Sequence, residues 1–469
     1  MLFSSIPFLY YFLPMVLVIY YMAPKAWRNL ILLLSSLVFY GWGEGRYLFL
    51  MLGMIFFGYC FACLIQTARE KQMYQWAGLC LFLSLGLDLA ILGYFKYADF
   101  FIGNINRGTG LSLPLLNLAL PIGISFYTFQ LMSYTIDVYR GEVKAQKNPL
   151  LPAAYVAMFP QLVAGPIVRY SSVEEQLKDR SLSLSDTAVG IRRFILGLSK
   201  KVLLANTLGE CCALFRDTKE KDMLFFWLYG VSFMLHIYFD FSGYSDMAIG
   251  LGKLLGFSFP ENFRYPYTAK SITDFWRRWH ISLGSWFRDY VYIPLGGNRV
   301  KRGRWLMNLT LVWLLTGFWH GASWNFLFWG LYFAVFLVLE KLWLNAWLKK
   351  SAAFARIYVL LTVMVSFLIF DAQTISEATV NIKGLVGLEG KGLVSTESLY
   401  YLRSYSITLL VAAFGATPLG GIWIKKIRER KLGDRFIAGI EPLVLGVLLL
   451  TVTAFLVDGS FNPFLYFRF

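Results

Sequence analysis

Apolar residues along this chain gather into long runs that recur from residue 7 to residue 457, with short charged stretches between them. A hydrocarbon core about 30 Å thick demands about 20 mainly apolar residues per helical crossing. The runs at 7–22, 29–42, 47–66, 76–95, 223–239, 306–319, 322–340, 357–374, 406–424 and 437–457 therefore predict an all-α, polytopic bundle of transmembrane helices. Several runs are short enough for tilted or partial crossings, so the expected number is about ten to twelve. The first run has no basic stretch before it and no small-residue cleavage site after it, and is predicted to remain as the first membrane helix.

Two regions depart from the pattern. Between 118 and 260 the apolar signal is broken by Pro121, Pro160, Pro166, Lys200, Lys201, Asp240 and Asp246, and such segments survive at membrane depth only when buried in protein or lining an aqueous cavity. From Tyr265 to Asn298 aromatic residues interleave with Arg277, Arg278, Arg288 and Asp289, which predicts short helices packed within or beside the bundle. The stretch Ala372 to Arg403, with Gly384, Gly387, Gly390 and Gly392, reads as the longest polar loop. No internal repeat or low-complexity tract divides the chain, so residues 1–469 are taken as one integral membrane domain with tilted, broken and re-entrant helices around a central cavity.

Composition sharpens this. Of 469 residues 57% are hydrophobic and only 15% charged, against about 45–50% apolar in soluble domains. The net charge of +16 would suggest nucleic acid in a soluble protein, but here the cations fall between spans and report topology instead. Lys25 with Arg28, Arg69 with Lys71, the Arg299 to Arg304 cluster, Lys349 with Lys350, and Lys425 to Arg435 are predicted to be cytoplasmic, with the N-terminus, the Ala372 to Arg403 stretch and Phe469 outside. Cys60 and Cys63 form a C-x-x-C with no second pair or nearby histidine, so no metal site is expected.

Only three histidines occur, all in apolar or aromatic surroundings, where a titratable ring is costly to bury without purpose. His320 stands in Gly317-Phe318-Trp319-His320-Gly321-Ala322, where small residues would admit close approach to the ring and Trp319 would exclude water; it is the candidate acid/base. His280 follows Asp274-Phe275-Trp276-Arg277-Arg278-Trp279, a cluster that could bind an anion or orient a substrate, or could simply anchor an interfacial helix. His236 reads as structural. Asp240 and Asp246 flank a polar island and suggest cavity lining, with a salt bridge to a cytoplasmic arginine as the alternative. Asp88 reads as a packing residue.

Phe239 to Asp246, Asp274 to Leu283, Arg288 to Asn298 and Phe318 to Ala322, together with Pro121 to Tyr127 and the terminal Asn462 to Phe469, resemble the membrane-bound O-acyltransferase family, and most of all its bacterial alginate O-acetyltransferase branch. The resemblance implies that His320 is the catalytic histidine and His280 the second active-site polar position. It also implies an acetyl donor, acetyl-CoA, with no resident cofactor, a polysaccharide acceptor, and a bacterial inner-membrane location. In related systems the acyl group passes to a partner with a secreted SGNH-hydrolase-like domain, which this chain lacks, so a separate partner is implied. Acyl transfer from a thioester to a hydroxyl needs the hydroxyl proton removed as the C–O bond forms, which a neutral imidazole can do. The developing oxyanion needs a fixed donor, for which His280, Trp279 or backbone N–H groups near Gly321 are available. Arg277, Arg278 and Lys270 could hold the phosphates of an acyl carrier, or serve as solvated interfacial anchors. A donor entrance on the cytoplasmic side and an acceptor funnel from outside would then meet at His320. D-alanyl transfer to teichoic acid and a non-enzymatic flippase are the competing readings.

Overall fold

A computed structural model describes residues 1–459, and every regular element among them is a helix. The Asn462 to Phe469 segment, and with it the predicted outer end of the chain, lies outside the described residues. Among the described residues six helices are long and apolar enough to cross a membrane: Tyr47–Glu70, Tyr74–Thr109, Met223–Leu254, Trp324–Leu348, Ala352–Asp371 and Leu432–Val457. Thr396–Gly415 and Leu419–Arg428 meet at a 63° bend and together make up to seven. Three of the ten predicted runs fall short of that length and apolarity for local reasons. Phe8–Met22 is short, and Arg28–Glu44 stops at 17 residues. Arg302–His320 opens on two arginines and carries Asn308, Gly317 and His320. The predicted 406–424 run straddles the bend.

The chain forms two compact units. In the first, residues 1–194 with 247–260, a cluster of rings from Phe3, Phe8, Phe12, Phe39 and Phe159 fills the core, with centroids such as Phe3–Phe8 at 4.8 Å and Phe12–Phe159 at 5.5 Å. Two of the three prolines that interrupt the apolar signal stand at helix starts, where a missing N–H costs little, and Pro166 lies in the irregular stretch before Tyr170–Lys178. Pro121 precedes the helix Ile124–Arg140, and Pro160 sits in the first turn of Phe159–Leu162. Gly123 turns into that helix with φ +77°, and a Cβ there would lie 2.6 Å from the Leu162 carbonyl oxygen. The helix is rich in polar residues yet almost wholly buried. Ser133 and Thr135 satisfy themselves by donating to the helix's own carbonyls, as a polar helix enclosed by protein must.

The second unit comprises residues 195–246 and those from 261 onward. Asp240 and Asp246 do not interrupt the helix Met223–Leu254, which runs 32 residues without a break. The π-helical segment Lys200–Asn206 brings two cations to them, Lys201 Nζ at 2.5 Å from Asp240 and Lys200 Nζ at 2.6 Å from Asp246. The partners are therefore neighbouring lysines rather than a cytoplasmic arginine, and the pairing explains why the acids need no break in the helix.

Arg302–His320 and Trp324–Leu348 cross in near backbone contact: a Cβ on Gly317 would lie 2.1 Å from the Phe326 carbonyl oxygen, and one on Gly330 would lie 2.2 Å from that of Trp313. The Ala372 to Arg403 stretch is not a polar loop. It holds the helix Ile375–Leu385, capped by Thr374, and the start of Thr396–Gly415, capped by Ser395. In each case the cap's hydroxyl accepts a backbone N–H three residues on, which offsets the cost of starting a helix between glycines.

Candidate active site

Between Met223–Leu254 and Arg302–His320 the second unit carries short helices, as the mixed pattern of 265–298 predicts. The five-residue helix Ile272–Trp276 could not stand on its own propensity. Two caps hold it. Ser271 Oγ accepts from Asp274 N at 2.9 Å, and the wholly buried carboxylate of Glu340 accepts from Ile272 N, from Thr273 N at 3.0 Å and from Thr273 Oγ at 2.9 Å. Glu340 is in position because the helix through Trp324 relaxes into a π-turn at Glu340–Leu344. This carboxylate fixes where Trp276, Arg277 and His280 project.

His280 follows at the start of the helix Ile281–Phe287 in a left-handed conformation, φ +42° and ψ +54°. A side chain other than glycine, asparagine or aspartate adopts that region at a cost, and such residues concentrate at functional sites. The imidazole is 1% exposed. Its ring meets Phe241 edge-on at 4.6 Å and lies 6.0 Å from the ring of Trp319. Nδ1 is 3.2 Å from Asn262 Oδ1. Burial, and after it the positive form of nearby His320, pushes the His280 pKa well below its ordinary value, so the ring is neutral at pH 7.

A cavity of about 410 Å³ opens beside it, walled among others by Thr273, Trp276, Arg277, His280, Arg288 and Thr316. Trp276 packs on Trp313 at 4.7 Å and Phe333 at 4.8 Å. Its indole N–H has no hydrogen-bond partner among the described residues. His320, at the end of its helix, is boxed by the rings of Trp319, Trp329 and Phe370 at 5.0, 5.1 and 5.3 Å and is 5% exposed. The two histidines predicted from sequence thus come together, with His280 on the cavity wall and His320 behind it within electrostatic reach. The glycines flanking His320 serve helix crossing rather than access to the ring: a Cβ on Gly321 would lie 2.1 Å from the Phe326 ring.

The other predicted residues divide. Arg277 lines the cavity, whereas Arg278 turns to Asp274 at 2.8 Å. Trp279 stacks on Phe275 at 5.5 Å and packs against Phe263 and Phe367, away from the cavity wall. Trp319 packs between the two histidines. Asp240 and Asp246, held in their ion pairs, do not border the cavity. His236 Nδ1–H donates to the Ala205 carbonyl at 2.6 Å, the structural role expected of it. Among the described residues no three His, Cys, Asp or Glu side chains are grouped to hold a metal.

Asn262 and Glu340 are absent from the sequence reading. Asn262 looks like any loop asparagine after a proline, and Glu340 like the polar end of a span. For Glu340 a signal exists, an acid within the predicted 322–340 run, which is a functional or structural marker at membrane depth.

Residues 36–376 match the family model described as MBOAT, membrane-bound O-acyltransferase family. The "Probable alginate O-acetylase" of Azotobacter vinelandii is 38% identical to this chain over the whole length of both. The "Peptidoglycan O-acetyltransferase" of Helicobacter pylori is 35% identical over 88% of this chain and 85% of its own. The "Teichoic acid D-alanyltransferase" of Bacillus subtilis is 31% identical over 50% of this chain and 62% of its own. This chain belongs to the membrane-bound O-acyltransferase family. It is an O-acyltransferase with several spans in the bacterial inner membrane.

Proposed function

We propose that the protein moves an acetyl group from a cytoplasmic thioester, acetyl-CoA, toward a hydroxyl of an extracytoplasmic polysaccharide, by way of a separate partner bearing a hydrolase-like domain. The observation that carries this reading is the meeting of His280 and His320, 40 positions apart in sequence, beside one cavity that also receives Arg277 and Arg288. Full-length similarity to a relative named for alginate O-acetylation, against half-length similarity to one named for D-alanyl transfer, supports the acetyl group and a polysaccharide.

In this mechanism the acceptor hydroxyl oxygen attacks the thioester carbonyl carbon, the C–O bond forms, and the C–S bond breaks. His320 takes the hydroxyl proton and returns it to the departing thiolate. The carbonyl oxygen becomes negative in a water-poor site, where the indole N–H of Trp276 on the cavity wall is the donor at hand. Arg277 and Arg288 meet the donor's phosphates as cations at the cavity mouth. Asp240 and Asp246 hold the surrounding helices through their lysines.

The test is acyl transfer by reconstituted protein with acetyl-CoA and the partner. His320→Ala is expected to lower the rate by about 10²- to 10⁴-fold with membrane insertion unchanged, and His280→Ala to lower it less. Wild-type acylation by both variants overturns the assignment.

A further inference from the structure

Asn262, which the sequence does not single out, joins three segments of the site by hydrogen bonds. Its Oδ1 accepts from Ser282 N at 3.2 Å and from Ser282 Oγ at 2.9 Å, and its Nδ2 donates to Ser245 Oγ at 3.2 Å. The Ile281 N–H also donates to its backbone carbonyl at 3.0 Å. A backbone amide can only donate, so the atom facing Ser282 N is the oxygen, and the side-chain orientation is fixed by chemistry rather than by choice.

The same oxygen faces His280 Nδ1 at 3.2 Å. The single hydroxyl proton of Ser282 is already directed to Asn262 at 2.9 Å rather than to Nδ1 at 3.5 Å. A lone pair on Nδ1 would therefore point at a lone pair on Oδ1. Only the Nδ1–H tautomer turns that contact into a hydrogen bond, and it leaves the lone pair on Nε2.

We propose that Asn262 is a positioning residue that holds His280 in its Nδ1–H form, so that His280 enters the reaction as a hydrogen-bond acceptor and not as the donor to the oxyanion. This rests on the acyl-transfer reading above and refines it. The His280 Nε2 lone pair accepts the hydrogen bond of the incoming hydroxyl and so orients its oxygen toward the carbonyl carbon; as the C–O bond forms, that one proton turns from Nε2 to His320, which returns it to the departing thiolate. Donation to the oxyanion then falls to Trp276. The left-handed backbone at His280 fits the same purpose, since it brings Nδ1, Ser282 N and the Ile281 N–H to one asparagine within three residues. The depressed pKa of the ring agrees with a neutral acceptor.

The experiment compares Asn262→Asp and Asn262→Ala in the reconstituted assay across pH, with thermal midpoints recorded in parallel. A carboxylate accepts the same hydrogen bonds but favours the imidazolium, so Asn262→Asp should keep activity at high pH and move the acidic limb of kcat upward by about 1 pH unit or more. Asn262→Ala should lower kcat by about 10²-fold with the KM for the acceptor little changed. An Asn262→Asp variant that folds with an unmoved limb, or that fails to fold, makes Asn262 a packing residue and overturns the proposal. So does wild-type kcat in Asn262→Ala. The underlying reading fails separately, and only if His280→Ala and His320→Ala retain wild-type rates.

Discussion

Replacing Gly330 by alanine tests whether the crossing of two helices sets the position of His320. The added methyl would lie 2.2 Å from the Trp313 carbonyl oxygen, and real Cβ atoms essentially never come within 3.0 Å, so the shortfall is about 0.8 Å. The neighbour is backbone inside Arg302–His320 and cannot swing aside, so the helices must part. Overpacking of this kind costs about 1–3 kcal/mol. The displacement reaches chemistry by two short routes. Trp313 walls the cavity and lies on the same helix as His320, and Trp329, adjacent to Gly330, packs on the His320 ring at 5.1 Å. A catalytic group misplaced by about 1 Å can lose about 10²-fold in rate. Gly330→Ala should therefore lower the thermal midpoint in detergent and reduce acyl transfer by one to two orders of magnitude, although Gly330 touches no substrate. Gly439→Ala is the control, because nothing lies within 4 Å of its added Cβ, and it should leave the rate unchanged while adding about 0.5–1 kcal/mol of stability. A Gly330→Ala protein with wild-type rate and midpoint would refute the reasoning.

Lys201→Ala leaves Asp240 as a buried charge without its 2.5 Å partner and should cost about 3–5 kcal/mol, whereas Lys201→Met with Asp240→Leu should recover most of it; melting of both in detergent decides, and equal loss in the two fails the argument. Because burial, and then His320, lower the His280 pKa from an ordinary 6.5, the unfolded chain carries a proton that the folded protein lacks as pH falls below about 6.5, so stability declines through that window and levels off below the folded value. The decline should be smaller in His280→Gln, and thermal midpoints between pH 7.5 and 5 that fall in parallel for the two proteins would exclude it.

Much of the architecture was legible because a bilayer imposes its own length scale. The runs at 47–66, 76–95 and 437–457 each fall within a long helix, and 357–374 overruns Ala352–Asp371 by three residues. The mixed segment 265–298 was legible for the opposite reason, being too polar for lipid and too aromatic for a linker. The scarcity of histidine pointed to His280 and His320. Pairing was not legible: Lys200 and Asp246 are 46 positions apart, and nothing in their spacing predicts that a π-turn brings them together. The glycines beside His320 suggested access to a ring, whereas they permit a helix crossing, a distinction that needs the facing helix. The glycines of 384–392 masked a helix whose Thr374-x-x-Glu377 start was in plain sight. Asn262 carries no signal at all, since its effect depends on which backbone N–H groups turn toward it.

The 63° bend after Gly415 has a bearing on how the enzyme is handled. Leu419–Arg428 leaves the axis of Thr396–Gly415 at that angle, and a first leg along the membrane normal would lay the second nearer the membrane plane. It presents Ile422, Trp423, Ile424 and Ile427 largely exposed alongside Lys425, Lys426 and Arg428 in its last turn. Such a composition suits a headgroup-level anchor, which would be held by apolar insertion and by attraction to anionic phospholipid worth about 1 kcal/mol per cation near the surface. Extraction into an uncharged detergent removes that lipid, and vesicles containing phosphatidylglycerol restore a counter-charge that purely zwitterionic vesicles cannot.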